Sequence, residues 1–264
     1  MKPSTDLNSA AIQVQLQTNR LGKEGLLVVE QTGSTNADLL AAANRGASEG
    51  VVLVADHQTA GRGRKTRTWH GSAGEDLMFS VLLRPRVALP ILPSLVLAAG
   101  LAMHEAISQL VDQATGLKWP NDILIDGRKV CGILCQTELG DSPSVIVGCG
   151  VNVNGLNEDL PPEIRLSATT LRSVTQKRHD RGALLAECLA SLERWYDRWQ
   201  VDPPAVFAAW ESVAGIRDRR VHVTDEDQSF EARALGLDET GNLLVEVGNG
   251  RRTVAAGDLN LLEE

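Results

Sequence analysis

Apolar positions along the chain fall into two patterns. Four short, nearly unbroken runs, at residues 26–32 (LLVVEQT), 50–56 (GVVLVAD), 77–83 (LMFSVLL) and 144–154 (SVIVGCGVNVN), are rich in β-branched residues and predict buried strands. Between and after them the spacing changes to threes and fours. ADLLAAANR follows GSTN, so Ser34 or Thr35 is expected to cap a helix that Gly46 ends at C′. Pro93 and Ser94 open a second helix, expected through about Gln113, with Leu97, Leu101, Ile107 and Leu110 on its apolar surface. A third, over residues 183–200, carries Leu184, Leu185, Cys188, Leu189, Leu192, Trp195 and Trp199 on one face, and Pro203-Pro204 starts a fourth that ends near Gly215. In residues 117–125 (LKWPNDILI) Pro120 interrupts a ladder, leaving two strand segments. Asp126-Gly127 is a type I′ hairpin signal, and Lys129 begins the return strand KVCGILCQTEL.

The last fifty residues alternate over shorter distances. VHVTD, FEARALGLD, NLLVEVG and RRTVAAGDLNLL read as strands, with turns at residues 225–227, 239–242 and 248–250. They predict a small antiparallel barrel appended to an α/β body, with a boundary near Ala214. Residues 1–24 are polar and weakly patterned and read as a tail or a loosely docked helix. The expected division is therefore a tail (1–24), a body (25–214) and a barrel (215–264).

Composition narrows the picture. A chain of 264 residues, 43% hydrophobic and 23% charged, suits one sizeable domain and a small one. A net charge of -8 argues against a broad basic face for DNA or RNA. A winged-helix DNA-binding domain would need several times the residues that precede the first strand, so none is expected. No run suits a signal peptide or reaches membrane-spanning length; the longest, from Leu89 to Leu101, is broken by Pro90, Pro93 and Ser94. Cys131, Cys135, Cys149 and Cys188 show no CxxC spacing, which points to reduced, buried thiols in a cytoplasmic protein and away from a zinc site.

Candidate chemistry gathers at four places. The sharpest is residues 57–69 (HQTAGRGRKTRTW), where Arg62, Arg64, Lys65 and Arg67 are interleaved with Gly61 and Gly63 and closed by Trp69, with no acid between Asp56 and Glu75. A solvated surface run is the plain alternative, since two like charges ~7 Å apart in water repel by only ~0.6 kcal/mol. Arginines alternating with glycines beyond a strand end are, however, what a phosphate-cradling loop needs. The loop is not a Walker A, which would require glycine at Thr66 and lysine at Arg67. KWPND (residues 118–122) presents a lysine, an amide and a carboxylate, or is simply an Asn-Asp turn. Lys129 points into a cleft or snorkels outwards. GSTN (residues 33–36) caps a helix, grips a polar head group, or does both.

Together GSTN, QTAGRGR with its trailing Arg67 and Trp69, KWPND followed by RKVCGIL, and GCGVNVN resemble the biotin protein ligases in order and spacing, over about residues 26–264. Lipoate ligases share the fold but lack the AGRGR and KWPND pair. The resemblance implies an α+β fold: a mixed β-sheet with helices packed on it, of the class II aminoacyl-tRNA-synthetase-like kind, followed by a small C-terminal SH3-like β-barrel. The short N-terminus resembles the monofunctional type. The implied reaction joins biotin and ATP, with Mg²⁺, into biotinyl-5′-AMP and pyrophosphate, then passes biotin to a lysine of a biotin carboxyl carrier domain on a carboxylase. The alternative on the same scaffold is a lipoate or octanoate ligase or transferase. A nucleic-acid-binding module is the reading from another class.

By carry-over, Ser34, Thr35, Asn36 and Gln58 hold the ureido end of biotin, and the stretch Gly61, Arg62, Gly63, Arg64 lies over its carboxylate and the phosphate. Lys129 bridges the carboxyl oxygen and the α-phosphate, with Arg62, Arg64 and Arg67 supplying the remaining catalytic charge. Gly132 and Gly150 let the ligand lie against the sheet. Trp69, Asn121, Asp122 and Asn152 meet the nucleotide, Asp122 being the candidate metal contact through it. One position departs from the family loop, GRGRRGR: Lys65-Thr66 replaces Arg-Gly, which implies losing easy access to positive φ at Thr66.

Overall fold

The computed structural model describes residues 6–139, 143–225 and 228–262. In chain order the elements are α1 (Ser9–Gln15), β1 (Leu26–Thr32), α2 (Thr35–Asn44), β2 (Val52–Gln58), β3 (Leu77–Leu83), α3 (Leu95–Ser108), β4 (Thr115–Lys118), β5 (Asp122–Ile125), β6 (Arg128–Glu138) and β7 (Ser144–Val151). There follow α4 (Leu171–Thr175), α5 (Arg181–Val201), α6 (Pro203–Ala214) and the strands β8 (Arg220–Thr224), β9 (Ser229–Leu237), β10 (Leu243–Val247), β11 (Gly250–Val254) and β12 (Asp258–Leu261).

Seven strands form a mixed sheet in the order β1-β2-β3-β7-β6-β5-β4. Only β1 and β2 run parallel; the other neighbours are antiparallel. Period-2 alternation divides its faces. Leu77, Phe79, Val81 and Leu83 of β3, with Val145, Val147, Cys149 and Val151 of β7, join the main core with α3, α5 and α6. On the opposite face Leu53, Leu82 and Ile146 pack under Leu39 and Ala43 of α2. Residues Ser80, Gly148, Gly150 and Gly132 continue that second face, and it is there that the cavity opens. The second sheet, β11-β10-β9-β8-β12, is antiparallel throughout. The turn expected at residues 225–227 falls partly outside the described residues.

Four expectations change. The segment expected as a tail or a loosely docked helix contains the helix α1 and is, from Asp6 on, packed into the body. Asn8 caps α1 by accepting from Ala11 N at 3.0 Å, and Ile12 and Leu21 are both fully buried. Glu193 of α5 fastens the next turn, its carboxylate accepting the N–H groups of Asn19, Arg20 and Leu21 at 2.6, 2.9 and 2.9 Å. Burial alone would raise the Glu193 pKa, but these donors and Arg20 hold it below the usual value. At the start of the same helix, Arg181 is buried to 1% exposure between Asp6 and Asp56, at 2.7 and 2.9 Å, and donates to Asp76 O. Sequence patterning missed this anchor because its acidic partners, Asp6 and Asp56, lie 175 and 125 residues away.

The second expected helix stops at Ser108 rather than Gln113, because Thr115 is already paired with Ile125 in the sheet. At its other end a 3-10 turn through Pro90 and Pro93 runs straight into α3. Residues Leu89–Ser108 are thus long and apolar enough to cross a membrane, contrary to the sequence expectation, and 67% of that window is buried within the protein. The last apolar run, expected as one strand, splits into β11 and β12.

Candidate active site

A cavity of about 430 Å³ opens on the second face of the large sheet, within the size range of small-molecule sites. Its floor is where β3, β7 and β6 lie side by side, with Ser80 opposite Gly148, and Gly150 opposite both Met78 and Gly132. Side chains of neighbouring elements occupy the room those glycines leave. A Cβ on Gly148 would stand 1.9 Å from Asn36 Oδ1, and one on Gly150 would stand 2.3 Å from the Trp69 indole. Gly150 lies against the Trp69 ring, and Gly132 against the Lys129 ammonium and the edge of the same ring. Any ligand lies beyond it or displaces it.

The GSTN corner forms one end. Ser34 is the N-cap of α2, yet its hydroxyl makes no cap hydrogen bond and lines the cavity. Gln58 Oε1 accepts from Thr35 N at 2.8 Å and lies 3.1 Å from Thr35 Oγ1. Asn36 Nδ2 donates to Leu134 O at 3.1 Å and to Gln136 Oε1 at 2.8 Å, while Ser80 Oγ stands 2.6 Å from Asn36 Oδ1 and 2.7 Å from Thr35 Oγ1. Both amide hydrogens of Asn36 are therefore committed within the protein, and its free capacity is as an acceptor. Ser80 and Gln136, which hold it, escaped the sequence reading. The available signal for Ser80 was a lone hydroxyl inside an otherwise apolar strand.

The basic loop closes the other side. It folds back on itself, with Gly63 N donating to Arg67 O at 2.8 Å and Trp69 N to Gly61 O at 3.1 Å. Its left-handed residue is Lys65, φ 58°, whereas Thr66 has no positive φ. The expected strain at Thr66 is thus misplaced by one residue. Arg64 reaches Asn121 Oδ1 at 3.3 Å and Gly257 O at 2.9 Å, and Arg67 pairs with Asp258. Burial lowers the Arg64 pKa, partly opposed by Asp258 and Asp122. For Asp258 burial would raise the pKa, but the Arg67 hydrogen bond and the charges of Arg67, Arg64 and Lys65 hold it low.

Lys129 lies under the loop, its ammonium 2.7 Å from Asp122 and 5.7 Å from the Trp69 ring centroid. The two partners are not directly opposite in the hairpin: Asp122 faces Gly132, Lys129 faces Leu124, and the register shifts between Ile123 and Leu124. The turn itself has both Asp126 and Gly127 at positive φ, 46° and 75°, as type I′ requires. Asn121 is pinned by its Nδ2 donating to Ile133 O at 2.7 Å. Asn152 Nδ2 donates to Thr169 O at 3.0 Å, tying down the segment whose Ile164, Ser167 and Ala168 form a wall that the sequence did not reveal. Arg62 lines the cavity too. The Trp69 indole N–H is buried without a hydrogen-bond partner, an open donor in a cavity wall.

The arrangement is a narrow polar corner, an aromatic-lined waist, and an outer region of Arg62, Arg64, Arg67, Lys118 and Lys129 with one acid, Asp122, among the lining residues. It suits a ligand neutral at one end and strongly anionic at the other.

Known proteins agree. Residues 28–154 match the biotin/lipoate A/B protein ligase family and residues 218–261 the biotin protein ligase C terminal domain. The chain is 37% identical over 260 residues to a biotin--[acetyl-CoA-carboxylase] ligase of Mycobacterium tuberculosis, covering 96% of this chain and 95% of that one. It is 33% identical to the bifunctional ligase/repressor BirA of Bacillus subtilis, covering 99% of this chain and 81% of the relative. Among solved structures, a biotin protein ligase from Aquifex aeolicus in complex with biotin and ATP superposes with a TM-score of 0.77 at 31% identity, covering 91% of this chain and 99% of that one. On this identity, coverage and shared architecture, the chain belongs to the biotin protein ligases.

Proposed function

We propose that this ligase activates biotin with ATP to biotinyl-5′-AMP, releasing pyrophosphate, and transfers the biotinyl group to a lysine of a biotin carboxyl carrier domain in the cytoplasm, the acyl–phosphate bond breaking to release AMP. The observation that carries the reading is the charge gradient of the cavity, from the Ser34–Asn36 corner to the arginines around Lys129. The ureido group of biotin would use the Ser34 hydroxyl and the free acceptor capacity of Asn36, which Ser80 and Gln136 hold in place. The apolar rings and chain would run along Trp69, and its unpartnered indole N–H would meet a ligand acceptor.

Bringing a carboxylate against an α-phosphate sets two anions together, and fixed cations offset that repulsion. Lys129, steered by Asp122, is placed between them. Arg62, Arg64 and Arg67 face the departing pyrophosphate. Magnesium would lower the charge of the triphosphate. Among the described residues no three metal-ligating side chains gather, and Asp122 is the one carboxylate among the lining residues. That donor set fits a metal held mainly by the nucleotide's own phosphates, with the Asp122 oxygen not turned to Lys129 as its protein contact. In the second step the carrier's lysine is the nucleophile, so the chain needs none of its own.

Biotin-dependent exchange of label between pyrophosphate and ATP tests the first step, and transfer of biotin to a carrier domain tests the second. Exchange supported by lipoate or octanoate, and not by biotin, would overturn the assignment.

A further inference from the structure

Three cationic side chains of the cavity end on one short stretch of the other sheet. Arg64 Nη2 donates to Gly257 O at 2.9 Å, and its Nη1 lies 3.5 Å from Asp258 Oδ1. Arg67 grips both Asp258 oxygens, Nη1 at 3.3 Å from Oδ1 and Nη2 on Oδ2. Lys118 Nζ donates to Asn260 Oδ1 at 2.6 Å. Asp258 opens β12, an edge strand paired only with β8, so it can shift without breaking a central ladder. A carboxylate in a guanidinium fork has the geometry and charge that a phosphoryl group offers the same fork. Asp258 thus stands among the cations assigned above to the nucleotide's phosphates.

We propose that Asp258 is an exchangeable internal counter-anion. It holds Arg64 and Arg67 over the cavity while no nucleotide is bound, and it yields them to the triphosphate, so that ATP binding is an anion exchange that unlatches the loop from β12. The proposal rests on the ATP-dependent reading of the cavity. It makes Asp258 a positioning residue with two effects of opposite sign. Asp258 orders the empty loop, and it competes with the incoming phosphates for their cations. A purely structural contact would have one sign: its loss would loosen the loop and weaken nucleotide binding together.

Asp258→Asn keeps the side-chain shape and removes the charge. In the full-length protein it should lower the KM for ATP at least threefold in biotin-dependent pyrophosphate exchange, with kcat within threefold of wild type. Hydrogen exchange from Gly61 to Trp69 in the ligand-free variant should run at least tenfold faster than in wild type, and the two should be equally protected with biotin and ATP bound. Glu231→Gln is the control, because it removes the same charge from the same sheet. Glu231 pairs with Arg220 in solvent and lines no part of the cavity, so its KM for ATP should not move. A KM unchanged or raised by Asp258→Asn overturns the competition, and unchanged loop exchange overturns the tether. An equal fall in KM for Glu231→Gln overturns the assignment to Asp258 in favour of net charge. A wild type without biotin-dependent exchange overturns the underlying functional reading. That result is distinct from an active wild type whose KM ignores Asp258→Asn.

Discussion

Asn36 and Arg64 face the same cavity from walls held in different ways. Asn36 is 5% exposed and fastened by strand-borne partners, Leu134 O, Gln136 and Ser80, so its orientation is set before any ligand arrives. Arg64 extends from a loop and is held by a carbonyl and a carboxylate of another sheet and by Asn121. The difference tracks the chemistry. Neutral hydrogen-bond recognition gains most from fixed partners, because an unpaired buried group costs about 1–3 kcal/mol. A cation awaiting a multiply charged ligand can keep a provisional anion and exchange it.

The largest test removes the charge that lies between the two walls. Lys129→Ala should lower adenylate formation roughly 10²–10⁴-fold, from two charge-assisted bonds of ~1.5–3 kcal/mol each. A loss below fivefold in pyrophosphate exchange would separate Lys129 from the chemistry. Next is a contrast between glycines of the two walls. Gly148→Ala drives a methyl into Asn36, 1.9 Å away, whereas at Gly63 the nearest atoms are 3.4 Å off. The first should cost about 1–3 kcal/mol in urea unfolding, the second within about 0.5 kcal/mol. Equal costs would show the corner to be as adaptable as the loop. Ser80→Ala should follow at about 1–2 kcal/mol, raising the KM for biotin more than that for ATP.

The smallest effect concerns Asp76, which joins the walls by accepting Ser72 N behind the loop at 2.8 Å and Val153 N beyond β7 at 2.9 Å. Burial pushes its pKa up from 3.8 to about 6, against those hydrogen bonds. A raised acid pKa means the folded state binds the extra proton. Stability from this group is therefore gained as pH falls through about 6 towards 3.8 and is absent above that window. Between pH 7 and 5 the wild type should gain about 1 kcal/mol relative to Asp76→Asn. A flat difference in unfolding free energy across that range would mean Asp76 ionises normally.

Where a signal was local, the sequence was enough to read it. Leu26–Thr32 and Leu77–Leu83 are apolar runs whose ends coincide with the strands, and Gly46 and Gly215 stop their helices. The loop, Lys118, Asn121 and Asp122 of KWPND, and Lys129 line one cavity. What stayed hidden depends on distance along the chain. Asp258 meets Arg67 from 191 residues away, and Glu193 holds Arg20 from 173. The Trp69 seat on Gly150 needs the β6–β7 register, which no periodicity specifies. Misplacing the left-handed residue by one, at Thr66 rather than Lys65, came from expecting a glycine wherever the family loop has one.

The guanidinium of Arg181 carries a mechanical consequence. It grips Asp6 with one edge and Asp56 with another, and Asp56 lies two residues before Gln58, whose side-chain Oε1 accepts from Thr35 N and orients it. Tension applied at the amino-terminal end of the described chain therefore has a short path to the corner of the cavity: two ion pairs on one guanidinium, one strand end and one side-chain amide. Cutting the chain after Asp6 would leave a buried cation with half its counter-charge. The segment that begins at Asp6 is a strut, and its slackening would register in how tightly the protein holds the neutral end of its ligand.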